Sequence, residues 1–147
     1  MSTTLIKDQM ETCIRLLNEH LEAENRHDIE AIMRTYGQNP VVHINGQVFT
    51  DDAGIRRFHE RLGFGEGGAF SDLLVVERQR YITDEAVIIE QTLTGRHTGR
   101  WQGISATGKS IEVPACTIYT FDEENKLAGE RVYFDSALLL KQLGVSS

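Results

Sequence analysis

Helices first and closely spaced strands after predict an α+β fold in which one antiparallel sheet curves around helices. Three observations carry this reading. Residues 4–26 set Met10, Ile14, Leu17 and Leu21 at helical spacing on one face, joined by Cys13. After Phe70 the pattern is strand-like almost to the end. No helix-length crossover separates those strands, so they connect as an antiparallel meander. A twisted sheet wrapped around helices makes a cone with a deep apolar pocket.

The elements follow in order. Glu11, Arg15, Glu19, Glu22 and Glu24 lie largely off the apolar stripe of the first helix. Asn25-Arg26-His27 breaks it, and Asp28 reads as the N-cap of a short helix through Ile29, Ile32 and Met33. Residues 37–40 end the helical part, and residues 41–44 read as a strand. Asn45-Gly46 is a two-residue hairpin signal, because both positions tolerate positive φ; Gln47-Val48-Phe49 returns. Thr50-Asp51-Asp52 opens a helix with Ile55, Phe58 and Leu62 on its apolar face. Residues 63–68 hold four glycines and form a loop that lacks the spacing of a nucleotide site. Strands are expected at 73–82, 85–94, 110–121 and 127–135, with a bulge or wide loop within 95–103. Residues 136–143 form a last helix, stopped by Gly144.

The chain of 147 residues suits one domain, here 1–147, and can bury about two-thirds of its unfolded surface. A net charge of -7 argues against a nucleic-acid surface. Two cysteines, Cys13 and Cys116, show no ligand or disulfide spacing and read as reduced thiols. Charges at Lys7, Asp8 and Glu11 interrupt any signal-peptide core, and no apolar run approaches a membrane span, so the cytoplasm is the expected compartment.

Chemistry is expected near the C-terminus. Strand alternation puts Arg131, Tyr133 and Asp135 on one face and Val132 and Phe134 on the other. A cation, a phenol and a carboxylate in line make a plausible surface for proton transfer, or else an exposed face with a local ion pair. Tyr133 can donate to a developing oxyanion or merely pack its ring. Trp101, Phe70 and Tyr36 are candidate pocket-lining aromatics, and His43 stands alone in an apolar strand. His20, His27 and His59 read as solvated. The five histidines form no HxxxH or HxH pair, so no metal and no cofactor are expected.

Two stretches carry a family resemblance. Gly95-Arg96-His97-Thr98-Gly99 with Gly103-Ile104-Ser105-Ala106-Thr107-Gly108-Lys109 resembles the G-T-H-x-G…G-x-P-A-T-G-[KR] pattern of the SnoaL-like polyketide cyclases, also called ester cyclases, in the NTF2-like superfamily. Glu130-Arg131-Val132-Tyr133-Phe134-Asp135 with Leu138-Leu139-Leu140-Lys141-Gln142-Leu143-Gly144 resembles that family's strand-Asp-x-x-x-L-L-x-Q-L-G ending. Ser105 replaces the usual proline, and Arg131-Val132 stands where many cyclases have His-Trp. The resemblance implies an NTF2-like cone, a homodimer, and acid/base chemistry without a cofactor on an apolar or carbonyl-bearing small molecule. It makes Asp135 the general acid/base, with His97 and Arg131 as candidate partners. The same fold also serves non-catalytic binding proteins and dimeric assembly modules.

Overall fold

Leu17 and Ala23 bury one stripe of helix α1 (Thr3–Arg26) against the sheet. They are seen in a computed structural model that describes residues 3–145. The helix ends at His27, whose φ of +60° turns the chain. Asn25, two residues before, uses its amide as a clamp: its Nδ2 donates to Val75 O at 3.0 Å and its Oδ1 accepts from Val75 N at 2.8 Å. Asp28 then caps α2 (Ile29–Arg34), its carboxylate accepting from Ala31 N at 3.0 Å as expected.

Strand β1 (Tyr36–Ile44) starts earlier than the sequence suggests. Thr35 caps α2 and its carbonyl already accepts from Leu127 N, so the chain is drawn alongside the last strand at once. The expected break at residues 37–40 survives as a register slip between Tyr36 and Val41, a place where Pro40 is tolerated. The hairpin to β2 (Gln47–Phe49) is the one Asn45-Gly46 predicts, with φ of +47° and +91°.

Helix α3 (Asp52–His59) is capped by Asp51 and bears Ile55 and His59 on its buried side. It passes into one π-helical turn, Glu60–Phe64, which Gly63 ends at a φ of +145°. A side chain at Gly63 would collide with the Phe70 carbonyl, so only glycine fits this close crossing. The meander follows as β3 (Phe70–Ile82), β4 (Ala86–His97), β5 (Ser110–Phe121) and β6 (Leu127–Phe134). All three meander pairings are antiparallel, as expected, while β1 joins β6 in parallel. The sheet order is β2-β1-β6-β5-β4-β3. Helix α4 (Ser136–Gln142) closes the chain, with Gly144 at positive φ behind it.

Leu17, Ile32, Ile55, Leu73 and Ile89 are wholly buried between helices and sheet. Each contributes about 1.5–3 kcal/mol by leaving water. No helix among the described residues is long and apolar enough to cross a membrane.

Candidate active site

The concave face of the sheet and helices α1 and α3 enclose a narrow cavity of about 60 Å³. One water needs roughly 10–15 Å³ by that measure, so the space holds several waters or a small organic group. Ile44, Phe58, Leu62, Phe64, Leu93, Val113, Val132 and Phe134 make most of its wall apolar. Glu24, His59, Gln91, Thr117, Tyr119 and Glu130 also line it.

These polar groups come from five elements, α1, α3, β4, β5 and β6. On α1, His20 and Glu24 stand three and seven residues after Leu17, hence on the stripe that faces the core. On α3, His59 follows Ile55 by one turn. Glu130 shares the inward parity of Val132 and Phe134 on β6. His20 Nε2 lies 2.8 Å from Glu130 Oε1 and 3.5 Å from Glu24 Oε2, and His59 Nε2 lies 3.6 Å from the same Glu24 oxygen. His20, His59 and Glu24 are thus buried, correcting the expectations that both histidines are solvated and that Glu24 lies off the apolar stripe. The unsatisfied cost of burying one charge is met by burying its opposite beside it.

Burial alone would lower the pKa of His20, but the charges of Glu24 and Glu130 outweigh it and raise it to about 10. Burial would raise Glu24, but the opposing charge of His20 and the contacts of His20 and His59 hold it down at about 2. Tyr36 and Tyr119 pack edge-on against His20, at 5.5 and 6.2 Å between ring centroids. Burial, and then the neighbouring carboxylates, push both phenols well above their ordinary pKa, so both keep their protons.

A directed hydrogen-bond chain ends at Tyr119. The Thr117 hydroxyl donates to Gln91 Oε1 at 3.0 Å, and Gln91 Nε2 donates to the Tyr119 oxygen at 3.0 Å. The Tyr119 oxygen is therefore an acceptor within the chain, and its own O–H is left to donate.

The residues singled out by sequence divide around this cavity. Phe70 and Trp101 line it, and Tyr36 packs against its buried polar end. His97 lies behind Phe70, at 5.3 Å between centroids, outside the cavity lining. Its Nδ1 accepts from Thr107 N at 3.2 Å, so the ring ties β4 to the following loop. Burial lowers its pKa, partly offset by the Gly99 backbone. Arg131, Tyr133 and Asp135 do share a face, and it is the outer one; all three are exposed. Asp135 caps α4, its carboxylate accepting from Leu138 N at 3.0 Å. His43, paired in register with Arg131, also faces away from the buried Val42 and Ile44.

With the geometry in place, comparison with known proteins is informative. The profile of the SnoaL-like polyketide cyclases matches residues 12–143. The chain belongs to that family. Solved structures agree on the fold. One described as a SnoaL-like polyketide cyclase, from Shewanella denitrificans, superposes with a TM-score of 0.77 at 17% identity, covering 90% of this chain and 96% of that one. A protein of ketosteroid isomerase-like fold from Catenulispora acidiphila, in complex with trimethylamine, gives 0.73 at 15% identity over 88% and 92%. SalBIII, an epoxide hydrolase/cyclase-like enzyme with a role in pyran ring formation in the polyether salinomycin, gives 0.71 at 13% identity over 87% and 94%. The fold is accordingly the NTF2-like, ketosteroid isomerase-like cone. Comparison with curated proteins gave no sequence match.

The resemblance motifs of this SnoaL-like chain have visible structural work. Gln142 of the L-L-x-Q-L-G ending accepts from Glu112 N and donates to Glu112 O, each at 2.8 Å, and so docks α4 on β5. Gly99 sits where a side chain would strike the Gly68 carbonyl, which keeps the two loops in contact.

Proposed function

We propose that the chain is a small-molecule enzyme performing acid/base chemistry on an apolar carbonyl compound, an aldol-type ring closure or an isomerisation. The observation that carries this is the pairing of a free donor with a proton-accepting cluster at one end of an apolar cavity. The Tyr119 hydroxyl, oriented by Gln91 and Thr117, is placed to hydrogen-bond a substrate oxygen as it gains charge. The imidazole of His59 and the carboxylate of Glu130 line the same space and accept the proton removed from the neighbouring carbon, with ionised Glu24 beside His59. The apolar wall keeps water out and strengthens both contacts. Membership in the polyketide cyclase family supports the same class of reaction.

The test is a screen of small ketones and 1,3-dicarbonyl compounds for exchange of α-hydrogen in deuterated buffer. Exchange catalysed by the protein and lost in both Tyr119→Phe and Glu130→Gln is the expected result. Tight binding without exchange by any member would favour a non-catalytic binding protein with the same cavity. Exchange that survives both variants but is lost in Asp135→Asn would move the chemistry to the rival set of Asp135, Arg131 and His97.

The outer sheet face supports a further part of the reading, pairing of two copies. Leu74, Tyr81 and Tyr133 are 42%, 48% and 48% exposed there. Sedimentation equilibrium of the wild type against Tyr133→Lys decides it, with a dimer that dissociates in the variant as the expected result.

A further inference from the structure

Tautomers in the buried cluster are fixed by their surroundings. His20 Nδ1 lies 2.8 Å from Thr35 Oγ1, whose own hydrogen goes to Ile32 O at 2.6 Å. Thr35 must therefore accept, and Nδ1 of His20 must carry the hydrogen. His59 Nδ1 lies 2.8 Å from Ile55 O, a carbonyl that only accepts, so it too carries its hydrogen. Both rings thereby turn Nε2 inward, His20 Nε2 toward Glu24 and Glu130 and His59 Nε2 toward Glu24. Donor atoms of His20, His59 and Glu130 all lie within 4.8 Å of one another.

The contacts around that point differ from ordinary hydrogen bonding. His20 Nε2 and Glu130 Oε1 are fully buried, 2.8 Å apart, and yet neither has an aligned hydrogen-bond partner. At that separation a positive centre, either the Nε2 proton of His20 or a cation, must stand between nitrogen and carboxylate. A proton on His20 balances one carboxylate; a divalent cation at the convergence balances both Glu24 and Glu130. For bonds of about 2.0–2.2 Å, neighbouring donors around a cation stand roughly 3.0–3.5 Å apart. The His20–Glu130 separation of 2.8 Å lies just below the short end of that range, and the other pairs of the three donors lie within 4.8 Å. The Nδ1 bonds to Thr35 and Ile55 are the outer contacts that orient metal-bound histidines.

We propose that His20 Nε2, His59 Nε2 and Glu130 Oε1, with the Glu24 carboxylate as a neighbouring counter-charge, form a binding site for a divalent first-row transition metal ion. Two imidazoles and one carboxylate without thiolate suit Zn²⁺, Fe²⁺, Mn²⁺ or Co²⁺. His20 closes the site from behind, while Glu24, His59 and Glu130 line the cavity, so the open side of the ion faces the space where a ligand enters. A carbonyl oxygen or a water completing the shell there would be polarised, and His59 Nε2 and Glu130 Oε1 would then act as ligands in place of the proton-accepting role proposed for the metal-free protein. The binding claim itself does not rest on that chemistry. Local spacing could not reveal the site, because its donors come from three separated elements.

The experiment titrates the full-length protein with Co²⁺ and follows visible absorption and heat. One ion per chain is expected, with the d–d bands of nitrogen and oxygen ligation. Glu130→Gln and His59→Gln should each weaken binding by at least the ~10–100-fold typical of lesser changes around a metal. Glu30→Gln, at the surface, should leave it unchanged. Because core variants can misfold, Mn²⁺ is added separately to the wild type, where broadening of the Tyr36 and Tyr119 ring resonances before any surface resonance is expected. Absence of stoichiometric binding would overturn the proposal. So would thiolate charge-transfer bands, binding indifferent to both core variants, or broadening confined to surface carboxylates.

Discussion

The two faces of β6 carry similar chemistry and opposite circumstances. Glu130 points inward with Val132 and Phe134 and is 4% exposed, between a buried histidine and the cavity. Arg131, Tyr133 and Asp135 point outward, where water solvates each charge. One residue of register separates a carboxylate with a strongly altered environment from one that caps a helix. The comparison teaches that strand parity groups residues correctly but does not say which group is inside. That choice belongs to the partners that cover a face, here α1 and α3.

The largest expected effect tests the inner face. His20→Ala leaves Glu24 and Glu130 buried without their counter-charge. A loss of about 3–5 kcal/mol of stability is expected, read by urea unfolding. A loss under about 1 kcal/mol would mean water enters and solvates the carboxylates.

Next comes the chemistry. With a substrate found in the exchange screen, Glu130→Gln should lower kcat by about 10²–10⁴. Tyr119→Phe should lower it by about 10²–10³, with little change in fold, since only the free hydroxyl is lost. If Tyr119→Phe instead raised KM alone, the hydroxyl would hold the ground state and transition state equally.

Much of this fold could be read from the chain, for reasons that differ by element. Asp28, Asn45-Gly46 and Asp51 are local signals, because a cap or a turn is decided within a few residues, whereas Asp135, expected on the strand face, caps a helix instead. The meander was legible because its turns are short. The start of β1 at Tyr36 was not, since it depends on pairing with β6 some ninety positions later. The cavity followed the same rule. Phe70 and Trp101 stand out as large aromatics, but His20, Glu24 and His59 look like charged helix residues until a sheet covers them. Their one sequence signal is position: each falls on the apolar stripe, at helical spacing from Leu17 or Ile55.

A smaller effect concerns how the outer and inner faces are joined. Gln142→Ala removes two hydrogen bonds to the Glu112 backbone while α4 keeps its buried Leu139. A loss of about 1–3 kcal/mol is expected by thermal or chemical unfolding, since Glu112 N and O are exposed enough to recover water.

The smallest effect is the sharpest for the comparison. Asp135 uses its carboxylate on Leu138 N, a bond that an amide oxygen makes equally well. Asp135→Asn should therefore leave stability within about 0.5 kcal/mol, because Asn and Asp cap helices alike, whereas Asp135→Ala should cost about 0.5–2 kcal/mol. Turnover by the Asn variant should stay within twofold of wild type, because the carboxylate is exposed and bonds the Leu138 backbone. A large loss of kcat at unchanged stability would place a reacting group on the outer face of β6, and the division between its two sides would then no longer separate chemistry from structure.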